Sequence, residues 1–204
     1  MGKEYNLFAA WYDTFLEPVL GAMREQIVDM IPPNTSVLEV ACGTGAQGVR
    51  FKRIDADYTG IDVSADMLKM ADKKKLNCIM ADGSNLPWNK AEFDVATISL
   101  ALHEMEPKLR KSIISEMFRI TKPDGIIIIA DYMQSMDGGV LTALSKGVIY
   151  TIERIAGGSH YRNFKHFMTI GGLFGFLKEM DLHAIKTNML YQGNLAVVKI
   201  GKGV

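Results

Sequence analysis

From Val37 to Tyr132 the chain alternates between short apolar, β-branched runs and longer polar stretches. The runs Val37–Val40, Tyr58–Ile61, Asn77–Met80, Phe93–Leu100 and Ile126–Ala130 are short and β-rich, and they predict strands. Between them, Met67, Leu68 and Ala71 recur at helical spacing within Ser64–Lys73. Leu109, Ile113, Met117 and Ile120 form one stripe of a predicted helix over Pro107–Ile120. Pro107 suits a first helical turn, where its missing N–H would have no partner, and Pro123-Asp124-Gly125 predicts the stop and turn. Strands alternating with helices predict an α/β fold with a parallel sheet and helices on both faces.

The first 35 residues read as one or two helices, with Tyr12, Phe15, Val19, Leu20 and Met23 on the apolar face and Pro32-Pro33 closing them. Beyond Tyr132 the texture changes. Gly138-Gly139 precede an amphipathic stretch in which Val140, Leu144, Val148, Ile152 and Ile155 share one face. Gly157-Gly158 open the segment Ser159-His160-Tyr161-Arg162-Asn163-Phe164, and a helix to about Lys178 follows. Leu182–Leu190 and Leu195–Ile200, around Gln192-Gly193-Asn194, predict an antiparallel hairpin. Without repeats or low-complexity linkers, the pattern predicts one domain over 1–204: N-terminal helices over 1–35, a core over 36–135, a lid insertion over 136–165, and a last helix with the hairpin over 166–204.

Composition narrows the classes. The 204 residues suffice for one domain with a full core, and 48% apolar with 23% charged residues is ordinary for a globular chain. Lys+Arg and Asp+Glu each total 23, so no general field attracts a phosphate backbone, which predicts no nucleic-acid partner. Cys42 and Cys78 lie in or beside apolar runs and suit free thiols in a reducing compartment. The N-terminus has no apolar signal core, and the longest apolar runs are too short to span a bilayer; the expectation is a cytoplasmic protein.

The chemistry starts in the glycine-rich turn after the first strand. Gly43, Gly45 and Gly48 spell G-x-G-x-x-G, the spacing of a dinucleotide loop, where absent Cβ atoms let a ligand approach the backbone. That loop alone suits either a pyrophosphate or an amino-acid carboxylate. Asp62, at the end of the second strand, is placed to accept both ribose hydroxyls of an adenosine, Ser64 being the better cap for the next helix. Asp82, at the end of the third run, is placed to accept an adenine exocyclic amine, with Met67 packing on the ring. The bland alternatives are a turn role for Asp82 beside Gly83 and a core role for Met67.

Together these motifs resemble the class I S-adenosylmethionine-dependent methyltransferases. Glu39-Val40-Ala41-Cys42-Gly43-Thr44-Gly45 is similar to that family's first motif, with Ala41 where a glycine usually stands. Ile61-Asp62-Val63-Ser64 is similar to its acidic second-strand motif, and Ala81-Asp82-Gly83-Ser84 to its adenine motif. Phe93-Asp94-Val95, Leu102-His103-Glu104 and Lys122-Pro123-Asp124-Gly125 are similar to the fourth strand, its active-site end and the turn before the fifth strand. The resemblance implies a Rossmann-like seven-stranded sheet in the order 3-2-1-4-5-7-6, with strand seven antiparallel. It implies S-adenosylmethionine as cofactor and S-adenosylhomocysteine as product. It assigns cofactor contacts to Tyr12, Glu39, Ala41, Gly43, Gly45, Asp62, Val63, Met67, Asp82, Gly83, Ser84 and Ser99. Gly48 then becomes only a small residue on the following helix. Tyr12-Asp13 and His160-Tyr161-Arg162-Asn163-Phe164 resemble the small-molecule branch that includes the ubiquinone- and menaquinone-biosynthesis methyltransferases; phospholipid N-methyltransferases share several features.

For the transfer itself, the candidates are His103, Tyr12, His160 and Tyr161. His103 is expected at the carboxyl end of strand four, as base or substrate ligand, with Glu104 a weaker candidate. No Asn/Asp-Pro-Pro-Tyr signature follows strand four, where Ser99-Leu100-Ala101-Leu102 stands, which fits a small-molecule acceptor. No clustered Cys/His pattern supports a metal. The amphipathic 139–156 stretch, read as a lid whose apolar face meets the pocket, suits a hydrophobic acceptor: quinol-like, lipid or amine. Contact with a membrane surface or a second subunit is the other use of such a face, although it lacks the basic polar side of interfacial helices. The competing classes are an NAD-dependent oxidoreductase and a non-catalytic S-adenosylmethionine-binding module.

Overall fold

In the strands that become central, apolar residues at successive positions leave neither face suited to water, so both must be covered. The computed structural model, which describes residues 20–135 and 139–202, shows how this is done. The strands are β1 (Ser36–Val40), β2 (Asp57–Asp62), β3 (Cys78–Met80), β4 (Phe93–Ser99), β5 (Thr121–Tyr132), β6 (Lys186–Leu190) and β7 (Leu195–Gly201). They form one sheet in the order β3-β2-β1-β4-β5-β7-β6. β1 through β5 pair in parallel, whereas β7 runs antiparallel to both β5 and β6.

Side chains alternate across the sheet. Leu38, Val40, Ala96, Ile98, Ile127 and Ile129 enter one core, and Val37, Val95, Ile128 and Ala130 enter the other. The first core is covered by α4 (Pro107–Ile120), α6 (Gly158–Thr169) and α7 (Gly172–Glu179). The second is covered by α1 (20–28), α2 (Ala46–Phe51) and α3 (Ala65–Lys73). The predicted α4 has the observed bounds, with Pro107 in its first turn. The N-terminal face is described only from Leu20 onward; Tyr12, Phe15 and Val19 lie outside the described residues.

Two expectations are corrected beyond β5. The helix expected to run on to Lys178 breaks between α6 and α7, where Gly171 and Gly172 have φ of 103° and 65°. A Cβ on Gly172 would lie 2.6 Å from the Tyr132 carbonyl oxygen, so only glycine lets the chain turn against the end of β5. The second concerns α5 (Val140–Ala156), whose apolar stripe was expected to meet the pocket. Of that stripe, Leu144 and Val148 are instead 62% and 59% exposed, and the side chains of Val140, Ile152 and Ile155 lie outside the described residues; Leu141 is exposed too, while Thr142 and Glu153 are buried and Ile149 and Tyr150 pack on the core. Polar partners decide this orientation. Buried Asn194 donates through Nδ2 to the Thr142 carbonyl and to Ser145 Oγ, and Glu153 meets histidines beneath the helix.

Candidate active site

The strand order reverses between β1 and β4, and ligands of open α/β sheets bind in the crevice beyond the carboxyl ends of such strands. Both clusters described next lie at that edge.

After β1, Cys42 N–H donates to Ile61 O at 2.9 Å, and Gly45 N–H donates to Cys42 O at 2.9 Å, closing the turn. Ala41, Gly43 and Gly45 all have positive φ, of 56°, 53° and 75°. The glycines differ in what surrounds them. A Cβ on Gly43 would meet nothing within 4 Å, so the backbone there faces open space. One on Gly45 would lie 2.3 Å from Leu76 Cδ1, and one on Gly48 would lie 2.5 Å from the Tyr58 ring. Gly48 is therefore a packing residue on α2. Beneath the loop, Glu39 is buried and accepts from Tyr58 Oη–H at 2.7 Å; burial pushes its pKa up to about 8, against the opposing Tyr58 hydrogen bond.

Asp62 ties this loop to β2. Its Oδ2 accepts from Gly43 N–H and its Oδ1 from Ser64 N–H, both at 2.8 Å. A carboxylate offers about four acceptor positions, so capacity remains for hydroxyls. Ser64 caps α3 by accepting from Met67 N–H, which leaves Asp62 free of that duty. Asp62 pairs with Met80 across β2 and β3, so Asp82 emerges beside it. Asp82 Oδ1 accepts from Ser84 N–H at 2.8 Å and from Ser84 Oγ–H at 2.7 Å, and the backbone bond chiefly holds its carboxyl below the usual range. A Cβ on Gly83 would press on Val40 Cγ1 at 2.8 Å. Val63 and Met80 flank the two aspartates and are 72% and 61% exposed, an apolar surface beside polar anchors. Met67 is half-buried on α3, and Ser99 ends β4.

The second cluster gathers around His103, in the 3-10 turn Leu102–Glu104 that follows β4. His103 Nδ1 lies 2.7 Å from Asp131 Oδ1 near the end of β5. Its Nε2 lies 3.5 Å from Glu153 Oε2 and 3.6 Å from Glu104 Oε1. His160 Nε2, from α6, lies 2.9 Å from the same Glu153 oxygen and 3.4 Å from Glu104 Oε1. Tyr132 Oη–H donates to Glu153 Oε1 at 3.1 Å, and its ring packs 4.6 Å from the His103 imidazole. Phe164 forms a further wall, 6.0 Å from that imidazole. Burial alone would lower the His103 pKa; the Asp131 carboxylate outweighs it and holds the imidazole well above its ordinary value. Glu153 is likewise pushed up by burial but held at about 2 by the two imidazoles. His160 is raised, chiefly by its bond to Glu153.

Residues 37–125 match the family described as a methyltransferase domain. A demethylmenaquinone methyltransferase of Renibacterium salmoninarum is 30% identical over 138 residues, covering 65% of this chain and 57% of that protein. Residues 37–125 are thus similar to a methyltransferase domain. The chain spans about half the length of the curated relatives it matches. Among solved structures, a Pyrococcus horikoshii protein superposes with TM-score 0.70 at 14% identity, covering 94% of this chain and 98% of that one. The magnesium protoporphyrin IX methyltransferase of Synechocystis, solved with bound S-adenosylhomocysteine, superposes with TM-score 0.61 at 15% identity, covering 91% and 82%. These likenesses extend the fold beyond the matched core.

S-adenosylmethionine is the cofactor that the methyltransferase likeness implies, and the loop after β1 fits it. Gly43 opens on space that a Cβ would enter, Asp62 keeps acceptor capacity, and Asp82 stands on the next strand beside exposed Val63 and Met80. The fold brings His103 and His160 together; Tyr161 lies apart, with Tyr150, Thr151 and Arg154 along an open cleft of about 540 Å³. Tyr12 lies outside the described residues. Sequence reasoning passed over Asp131 and Glu153. Asp131 had a signal, a carboxylate ending a run of isoleucines at the carboxyl end of a parallel strand. Glu153 had none, because it sits among the polar positions of an amphipathic helix.

Proposed function

We propose that the chain transfers a methyl group from S-adenosylmethionine to a small, largely apolar acceptor carrying a polar reacting group, of the quinol type. S-adenosylmethionine supplies an electrophilic sulfonium methyl; the protein supplies binding, orientation and exclusion of water. Asp62 binds the ribose, Asp82 and Met67 the adenine, and the backbone at Gly43 the amino-acid end. The observation that carries the reading is the pairing of that open loop on β1 with a buried polar cluster beyond β4, its neighbour in the sheet. The acceptor's polar group meets His103 and His160, and Tyr132 and Phe164 flank it with aromatic rings. The name of the Renibacterium relative supports a quinol-type acceptor; a lipid or an amine would place a charged or longer group against the same walls.

The test is transfer of radiolabelled methyl from S-adenosylmethionine to a demethylated quinol, a phospholipid and a simple aryl amine in parallel. Labelled quinol is the expected outcome, and labelling of the phospholipid alone would replace the acceptor class. His103→Ala should lower turnover at least about 100-fold while S-adenosylhomocysteine affinity stays within about threefold. Micromolar affinity for NAD with none for S-adenosylmethionine would overturn the reading.

A further inference from the structure

We propose that His103, His160 and Glu153 form a binding site for one divalent transition-metal ion of the zinc type, with Glu104 at its solvent side. The three offer one ligand atom each, all within 4.8 Å of one another. The finer distances match metal geometry. Ligand atoms bound to zinc at 2.0–2.1 Å in a tetrahedron are about 3.4 Å apart. Glu153 Oε2 lies 3.5 Å from His103 Nε2, and Glu104 Oε1 lies 3.6 Å from His103 Nε2 and 3.4 Å from His160 Nε2. His160 Nε2 and Glu153 Oε2, at 2.9 Å, need to open by a few tenths of an ångström, and the two imidazole nitrogens, within 4.8 Å of each other, complete the three-ligand set, with Glu104 outside it.

An independent observation points to a missing partner. His103 is 2% exposed, and its Nε2 has no hydrogen-bond partner, although it is aimed into the cluster. Both nearby carboxylate oxygens stand beyond hydrogen-bonding distance from it. A buried nitrogen left in this way costs free energy that a coordinated cation would remove. The other ring nitrogen is already fixed: Nδ1 is held by Asp131, and His103 N–H donates to the second Asp131 oxygen. Metal-ligating histidines are oriented in this manner, with a carboxylate fixing the tautomer that turns Nε2 toward the ion. Glu153 is steadied in turn by Tyr132 Oη.

Charge points the same way. A bound ion displaces the imidazole protons, and the carboxylates of Asp131, Glu153 and Glu104 then offset its charge. Two imidazoles and a carboxylate suit zinc and its neighbours over magnesium or calcium, which prefer oxygen. Three protein ligands leave a position open for an exogenous oxygen or nitrogen, as in catalytic zinc sites. That position facing the acceptor's polar group is the part that rests on the proposed methyl transfer; metal binding itself does not. The ligands come from the turn after β4, from α5 and from α6, so the ion would also fasten α5 and α6 to the sheet edge.

The test uses the full chain stripped with chelator, titrated with Zn²⁺ against a chromophoric competitor and with Co²⁺ by visible absorption. The expected result is one ion per chain and a Co²⁺ spectrum of tetrahedral intensity. Glu153→Gln and His160→Ala should each weaken binding at least about 100-fold, and Asp131→Asn by about 10- to 100-fold. His183→Ala, on the exposed surface, should leave it unchanged. Circular dichroism and S-adenosylhomocysteine affinity confirm that each variant is folded. Absence of stoichiometric binding by the wild type, or equal binding by Glu153→Gln and His160→Ala, overturns the site. A chain that transfers methyl groups but binds no metal sinks this inference alone; one that binds metal but no S-adenosylmethionine sinks the functional reading alone.

Discussion

Ala41 shows how closely a backbone angle and a motif are linked. Its φ of 56° lies in the left-handed region, where a Cβ costs roughly 1–2 kcal/mol, which explains the glycine usual at this position of the motif. Glycine also has more freedom to lose on folding, so the two effects partly cancel. Ala41→Gly should raise the midpoint of urea unfolding by the equivalent of about 0.5–1 kcal/mol; a lower midpoint would show that the methyl group is packed rather than strained. The neighbouring glycines are legible from spacing, but their separate duties are not. Only the surroundings distinguish Gly43, open to a ligand, from Gly45 and Gly48, whose Cβ atoms would strike Leu76 and Tyr58.

At the scale of elements, periodicity predicts α4 to the residue, because its stripe of Leu109, Ile113, Met117 and Ile120 is flanked by proline and by a strand. The same reasoning finds α5 but turns it the wrong way. A hydrophobic stripe predicts which face to bury only when nothing outweighs it; here Asn194 and the histidine cluster anchor the polar face inward. Leu144→Lys with Val148→Lys should therefore change stability by no more than about 0.5 kcal/mol. Asn194→Ala, which strips partners from Thr142 and Ser145, should cost about 1–3 kcal/mol. Chemical denaturation of the two variants checks both, and a large loss for the lysine pair would mean that the exposed stripe is covered.

For the whole molecule, stability against pH is shaped by carboxyl groups whose surroundings the fold determines. Glu39 has a folded pKa of about 8, above its unfolded value, so the folded chain binds more protons between about pH 4.5 and 8. Its contribution is fully present below that window and is lost as pH rises through it, on the order of a few kcal/mol. Asp94 acts oppositely: burial is outweighed by Lys122 and Ser36, which hold its carboxyl at about 2, so its stabilisation disappears as pH falls through the range from its ordinary value to about 2. Glu39→Gln keeps an acceptor for Tyr58 and should flatten the alkaline side of the profile, raising the thermal midpoint at pH 9 more than at pH 5. Equal midpoint changes at both pH values would mean that Glu39 does not titrate in this window.

The chain's own pattern determined the alternation of strands and helices, the glycine turn after β1 and the aspartates that follow β2 and β3. These are local matters, in which side-chain period, backbone freedom and position at a strand end decide the outcome within a few residues. The partners of His103 were decided only by tertiary structure. Asp131, Glu153 and His160 lie 28, 50 and 57 positions further along, on a strand and two helices whose relative placement depends on how each face is satisfied in the packed molecule. No local period records that choice, because burying a charge is worthwhile only where other elements deliver its complement.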